Sequence, residues 1–129
     1  MTQEDKDLLL KDLCARLPYG VKCETVRYRP DEKFIISTDT ITFENISKYT
    51  DASYKIYLFP LSSMTDEQKD YIRNRFCYEW EGDPYEIWRH QIDIEDADEL
   101  IDWFNKNHFD YRCLIPKDLA IDATGKNIY

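Results

Sequence analysis

The hydrophobic period of the chain changes between residues 9 and 28, and this change constrains the fold more than any other sequence feature. Apolar residues first recur at steps of three and four, which predicts an amphipathic helix. The stripe comprises Leu9, Leu10, Leu13, Cys14 and Leu17. Pro18-Tyr19-Gly20 then ends the helix. From Val21 the period becomes two over residues 21–28, which predicts a strand.

The segments after residue 28 extend this alternation into a larger pattern. Three further strands are predicted at Phe34–Ser37, Ile41–Phe43 and Tyr54–Leu58, with Thr38–Thr40 as a tight turn. The connections are too short for parallel crossovers, which need a dozen or more residues, so the strands form an antiparallel meander. The chain then returns to helix. Thr2 is placed to begin the first helix. Ser63 or Thr65 is placed to begin a helix over residues 66–76, and Asp93 precedes a helix that starts at Ile94.

These elements predict an α+β fold. An antiparallel sheet of three to four strands, from about residues 21–59, is packed by an N-terminal helix and by C-terminal helices. The 129 residues contain no repeat, low-complexity tract or linker, so residues 1–129 are expected to form a single globular domain.

The charge of the chain is uneven and narrows the classes of partner. The chain has a net charge of −9. Sixteen of its 26 acids and only eight of its 17 bases lie in residues 61–129. This half of the chain would repel nucleic-acid phosphates and anionic membranes, so neither is expected to bind directly. No stretch approaches the roughly 20 apolar residues of a membrane span, and the acidic start lacks the features of a signal peptide. A cytoplasmic location is therefore expected.

The stretch NHFDYRCLIP, residues 107–116, contains the residue types of a thiol catalyst. In that interpretation His108 would activate Cys113, and Asp110 would orient the histidine. Proximity in sequence is a poor indication of such a triad, since triads are recognised by their spatial roles. Asp110 is better placed as a cap for the following turn, and His108 as the end of a helix. Catalysis here is therefore disfavoured.

No metal or cofactor is predicted. The four cysteines form no CxxC pair, and Cys14 and Cys77 are expected to be small buried hydrophobic residues. A calcium-like loop starting at Asp93 has Asp98 at the position that requires glycine, and Phe104 at the position that requires glutamate. With only three glycines, neither a phosphate-binding loop nor a dinucleotide fingerprint can be written.

Large rings alternate with acids in residues 78–88, and a run of acids follows in residues 93–102. Tyrosine and tryptophan anchor protein interfaces because they bury much area at a small entropic cost. The alternative interpretation places the tryptophans in the core and only the acids in water. The candidate binding residues are Trp80, Tyr85, Trp88, Glu95, Asp96, Asp98 and Glu99.

Three stretches of the sequence, LLLKDLCARLPYGVK, LFPLSSMTDEQK and LIDWFNKNHFDYRCLIPKDLAI, are similar to those of a family of short proteins from gut anaerobic bacteria and their phages and prophages. The resemblance covers both ends of the chain and is weakest over residues 25–55. It implies a bacterial or phage setting. It implies no activity, cofactor or functional residue.

The pattern as a whole favours a non-enzymatic binding or accessory protein that offers residues 78–102 as an acidic, aromatic surface to a protein partner. A sharper version is mimicry of nucleic-acid charge, which would occupy a DNA-binding protein. Two alternatives stay open. One is a small hydrolase that uses carboxylates or Cys113 with His108, and the other is a self-assembling structural component, so that a homo-oligomer is not excluded.

Overall fold

A computed structural model describes residues 2–28, 30, 34–46, 54–76 and 94–129, with the backbone alone described at residues 26–28, 34, 35, 94 and 95. The helices are α1 (Gln3–Arg16), α2 (Asp66–Arg75) and α3 (Ile94–Lys106). The strands are β1 (Lys22–Tyr28), β2 (Phe34–Thr40), β3 (Lys55–Pro60), β4 (Phe109–Asp110) and β5 (Ala120–Asp122). Short 3₁₀ turns cover Leu17–Tyr19 and Leu61–Ser63.

Local chemistry sets the ends of the first two helices, as the sequence predicts. The Thr2 side chain accepts a hydrogen bond from the Asp5 backbone N–H at 3.1 Å, and the Asp5 carboxylate accepts one from the Thr2 N–H. Thr65 and Gln68 form the same reciprocal capping box at the start of α2. After α1, Gly20 adopts a φ of 70°, which glycine tolerates without the steric cost of a Cβ.

The α+β prediction is confirmed, and the sheet is mostly antiparallel. The strand order is β2-β1-β3-β4, with β5 also paired to β3. Strand β1 is antiparallel to both β2 and β3. The two short strands β4 and β5 run parallel to β3. Strand β4 pairs with Phe59 and Pro60 at the end of β3, and β5 pairs with residues 56–58 nearer its start. The sheet is therefore mixed, and it draws strands from beyond residue 59.

The predicted strand Ile41–Phe43 and the predicted turn Thr38–Thr40 are both wrong. Strand β2 continues to Thr40, and residues 43–45 form a turn. Asn45 closes this turn by accepting a hydrogen bond from the Thr42 N–H and donating one to the Thr40 carbonyl. Ile41 and Phe43 alternate with Thr42 in the sequence, as in a strand. In the structure Ile41 is buried against the core and Phe43 is 86% exposed, so the two side chains do not share a buried face.

The buried residues form two clusters of different composition. The first is aliphatic and lies between α1 and the sheet. It comprises Leu9, Leu13, Val21, Cys23, Ile41, Ile56, Leu58, Leu114, Leu119 and Ala120. The second contains Leu61, Met64, Ile72, Leu100, Phe104 and Phe109, and partly buried rings pack against it. The second cluster joins α2 and α3 to the end of β3.

The buried face of α1 differs from the predicted stripe. It contains Asp12 and Arg16 in addition to Leu9 and Leu13. Leu10 is 44% exposed, and Cys14 is also exposed, so the prediction of a buried Cys14 is wrong. Positions 10 and 14 lie one residue beyond positions 9 and 13, which turns them about 100° away from the sheet. Cys77 lies outside the described residues.

Candidate functional site

Helices α2 and α3 contact each other through their side chains, run in opposite directions, and form the surface on which the candidate acids lie. Arg75, the last residue of α2, contacts Asp96 and Glu99 in the first half of α3. One turn earlier in α2, the Tyr71 ring stacks on Trp103 in the second half of α3, with centroids 5.5 Å apart and planes at 21°. The later residue of α2 thus contacts the earlier part of α3, and the earlier residue of α2 contacts the later part of α3, so the two helices run in opposite directions.

The amphipathic sequence of α3 orients its acids outward. Leu100 and Phe104 are fully buried in the second cluster, whereas Asp98, Glu99 and Asp102 are exposed. Asp102 faces the 3₁₀ turn after α1, where it accepts a hydrogen bond from the Tyr19 hydroxyl. This hydrogen bond raises the pKa of Tyr19. The acids of α3 are therefore held on a well-packed helix.

The structure gives the predicted acids different environments. Asp96 and Glu99 share the guanidinium of Arg75, with 3.3 Å between Asp96 Oδ1 and Arg75 Nη1. Asp98 is exposed. The side chain of Glu95 lies outside the described residues, and so do the three predicted rings, Trp80, Tyr85 and Trp88.

The sequence did not single out Tyr71 and Trp103 as surface rings. The Tyr71 side chain is 43% exposed, and Trp103 is half-buried. Trp103 also stacks on Phe109 at 5.6 Å, which connects the surface ring to the buried cluster. A helical wheel places Trp103 next to Glu99, so the wheel could have identified it as a ring at the acidic boundary.

The residues of the predicted triad are not joined. Both carboxylate oxygens of Asp110 accept backbone hydrogen bonds, from Leu114 and Ile115, at 2.9 Å each. The prediction that Asp110 caps the following turn is thus confirmed. Cys113 is exposed, and within the described residues no hydrogen bond links it to His108 or Asp110. A nucleophile activated by a histidine requires that link.

His108 instead packs against Tyr129. The two rings are 3.6 Å apart with an angle of 11° between their planes. Burial, and then the positive charges of Arg16 and Lys22, lower the pKa of His108 to about 4, so the imidazole is neutral at physiological pH. Its Nδ1 atom is buried without a hydrogen-bond partner among the described residues.

A buried ion pair lies beneath this region and was not predicted. The Arg16 Nε atom donates to the Asp12 carboxylate at 2.7 Å, and both side chains are fully buried. The Arg16 Nη2 atom donates to the Phe109 carbonyl at 2.6 Å, which ties α1 to β4. Arg112 approaches the other carboxylate oxygen of Asp12 at 3.4 Å, and both guanidinium groups lie over the Tyr111 ring.

Two opposing effects act on the Asp12 carboxyl. Burial raises the pKa of Asp12, while the neighbouring Arg16 and Arg112 act in the opposite direction. The positions of Asp12 and Arg16 in the helix place them on the same face as Leu9 and Leu13. Charged residues are nevertheless usually exposed, so the sequence did not predict their burial. The pair could not be recognised because its partners include a carbonyl 93 residues away.

Among the described residues, no group of three or more His, Cys, Asp or Glu side chains is placed to hold a metal ion. In the described helices, no segment is long and apolar enough to cross a membrane. Comparisons with family models, with curated proteins and with solved structures find no match to this chain.

Proposed function

We propose that this chain is a non-enzymatic binding protein that recognises a basic segment of a protein partner through the surface of α2 and α3. The observation that carries the proposal is the partly exposed stack of Tyr71 on Trp103, which lies between helices whose exposed residues include Asp70, Asp98 and Glu99. An exposed tyrosine near acids suits a partner that offers lysine or arginine, because such cations bind both aromatic rings and carboxylates.

The separation of His108, Asp110 and Cys113 supports a binding role over hydrolysis. Each of these residues has a different environment: a ring stack, a pair of backbone donors and solvent. A hydrolase in this region would need a nucleophile and a base within hydrogen-bond reach of each other.

The internal pairing of the acids favours a protein segment over strict mimicry of nucleic-acid charge. Arg75 neutralises part of the charge of Asp96 and Glu99, so these acids offer less net charge than a row of phosphates would. The bacterial or phage setting and the cytoplasmic location belong to the same proposal, and the sequence resemblance supports the setting.

The test is affinity capture from a native lysate at low and high salt, with a surface variant that carries Tyr71→Ala, Asp98→Asn and Glu99→Gln. We expect a basic protein to be captured by the unmodified chain and released by salt, since exposed charge pairs are screened. We expect the amount of this protein captured by the surface variant to be about tenfold lower, because interface rings dominate binding energy.

A matched control carries Leu10→Ala, Glu4→Gln and Asp7→Asn on α1. It also removes one exposed apolar side chain and two exposed acids, and it changes the net charge equally. We expect it to capture the partner as the unmodified chain does. If the surface variant keeps the partner, or if both variants lose it equally, the α2–α3 surface is not the binding site.

A further inference from the structure

A cleft of about 330 Å³ lies where the end of β3, the start of α2 and the end of α3 meet. Phe59, Phe109 and Tyr129 are among the residues that line it and form its aromatic wall. Gln68, Lys106 and His108 are among its polar lining residues. Sites for small molecules in proteins typically occupy roughly 300 to 1,000 Å³ and combine apolar walls with a few polar groups, so this cleft is of sufficient size for a small ligand.

The aromatic wall is held in place from behind. The Tyr129 hydroxyl donates to the Tyr57 carbonyl at 2.8 Å and accepts a hydrogen bond from the Lys22 N–H at 2.8 Å. The Tyr129 ring stacks on His108 and meets Phe59 at 5.9 Å, with planes at 55°. A wall fixed in this way loses little conformational freedom when a flat molecule packs on it.

The backbone at His108, just after α3, adopts a left-handed conformation that it shares with Cys113, Asp118 and Asn127. Its φ is 62°, a conformation that residues other than glycine rarely adopt. The carbonyl of His108 accepts a hydrogen bond from the Phe59 N–H at 2.8 Å, which holds this conformation against β3. Residues in such conformations concentrate at binding and catalytic sites, where the surrounding structure maintains them.

The charge of the cleft is opposite to that of the chain. Lys106 is the charged residue of its lining, and no acid lies among the described lining residues, in a protein with 26 acids and 17 bases. Within the described part of the chain, Lys106 forms no ion pair. The Gln68 side-chain oxygen is occupied by the Thr65 N–H, so its amide nitrogen is the group left to donate.

We propose that this cleft binds a small planar aromatic carboxylate, whose ring packs against Phe59 and Tyr129 and whose carboxylate pairs with Lys106. The rings account for the planar part, and the cation of the described lining, Lys106, accounts for the anionic group. The site is separate from the acidic surface proposed above and does not depend on a protein partner.

The probe is indole-3-carboxylate, compared with the uncharged indole-3-carboxamide, in a titration followed by ¹H–¹⁵N NMR of the full chain. We expect saturable shifts for the carboxylate that centre on Gln68, Lys106, His108 and Phe109. The amide should bind roughly tenfold more weakly, because it lacks the charge-assisted contact with Lys106. Equal affinity for both probes, shifts centred elsewhere, or no saturable shift up to millimolar concentrations would overturn the proposal.

The variant Lys106→Met separates the charge from the fold. Lys106 is exposed, so we expect the variant to keep its spectrum and to lose the roughly tenfold preference for the carboxylate, while Lys106→Arg restores that preference. Lys11→Met, a matched change at an exposed lysine of α1, should leave both affinities unchanged. A preference for the carboxylate that survives in Lys106→Met would show that this lysine does not hold the anion.

Discussion

Two ion-pair networks of similar chemistry lie in opposite environments. At the surface, Arg75 is 42% exposed and pairs with Asp96 and Glu99, which are 35% and 47% exposed. In the interior, Arg16 and Asp12 form their pair with side chains that are 0% exposed. Water solvates the first network in both the folded and the unfolded state, whereas the second must lose its hydration on folding. The comparison shows that burial, more than the pairing itself, decides what a charged pair does to stability.

The two networks also connect different parts of the molecule. Arg75 joins two helices that already share the second hydrophobic cluster. Arg16 joins α1 to Phe109 in β4, and Arg112 approaches Asp12 from the segment that follows β4. The buried network thus positions the region that contains His108 and the cleft.

The largest expected effect comes from removing one member of the buried pair. Arg16→Met leaves the Asp12 carboxylate buried, with Arg112 as its remaining cation among the described residues, and deprives the Phe109 carbonyl of the Arg16 donor. We expect a loss of about 3–5 kcal/mol in the free energy of unfolding, because a buried charge without its partner keeps its desolvation cost. Urea denaturation measures this loss.

The double variant Arg16→Met with Asp12→Leu is the control for that effect. It removes both charges and fills the space with apolar atoms, so we expect it to be more stable than Arg16→Met alone. If the double variant is no more stable than the single one, the lone buried carboxylate is not what destabilises Arg16→Met, and the contrast with the surface network does not hold.

The next effect is a dependence of stability on pH that His108 confers. Its pKa is about 4 in the folded protein, mainly because of burial, against about 6.5 in an unfolded chain. Between these values the unfolded state binds the proton and the folded state does not. The contribution of His108 is therefore fully present above about pH 6.5 and is lost as the pH falls towards 4, by about 2 kcal/mol after allowance for partial exposure.

The measurement is the free energy of unfolding across this pH range for the unmodified chain and for His108→Asn. Asparagine tolerates the positive φ of this position and does not titrate. We expect the difference between the two proteins to vary with pH in the window between 4 and 6.5. A difference that stays constant across the window would mean that His108 titrates normally in the folded protein.

A smaller effect is expected at Asp110, which is 3% exposed and stabilised by backbone N–H groups. Asp110→Asn presents an amide nitrogen to one of its two donors, so we expect a loss of about 1–2 kcal/mol. The matched change is Asp118→Asn, at a carboxylate that is 87% exposed in its pair with Lys55, and it should cost less than about 0.5 kcal/mol. Similar losses at both sites in thermal unfolding would contradict the distinction between buried and exposed carboxylates.

The smallest effect is expected at the surface network. Arg75→Met removes the contacts with Asp96 and Glu99 and keeps an unbranched apolar side chain at this position. We expect the Tm to fall by less than about 3 °C, and the difference to disappear at high salt. A decrease as large as that of Arg16→Met would break the comparison, since it would give exposed and buried pairs the same weight.

Part of the site was predictable and part was not. The acids of α3 face outward as their helical spacing indicates, and Asp110 caps a turn as expected. The Tyr71–Trp103 stack requires the antiparallel packing of α2 on α3, which no local pattern specifies. The cleft requires three elements from distant parts of the chain, and its aromatic wall includes Tyr129, a residue that the sequence pattern did not single out.

The sequence by itself determined which segments form helices, approximately where the helices begin, and which class of fold they join. Capping by Thr2 and Thr65, and the left-handed turn at Gly20, depend on residues within four positions of one another, so they can be identified from the sequence. The strands β1, β2 and β3 follow for a similar reason, because alternation along a strand is a local property.

The tertiary structure alone decided the parallel strands of the tail, the exposure of Cys14 and the burial of Arg16 with Asp12. Strands β4 and β5 are two and three residues long, too short for a recognisable pattern, and they exist because β3 offers them backbone partners. The buried pair is tolerated because Phe109, which lies 93 residues away from Arg16, supplies an acceptor. The free energy of burying a charge depends on such distant partners, and they become neighbours only when the chain has folded.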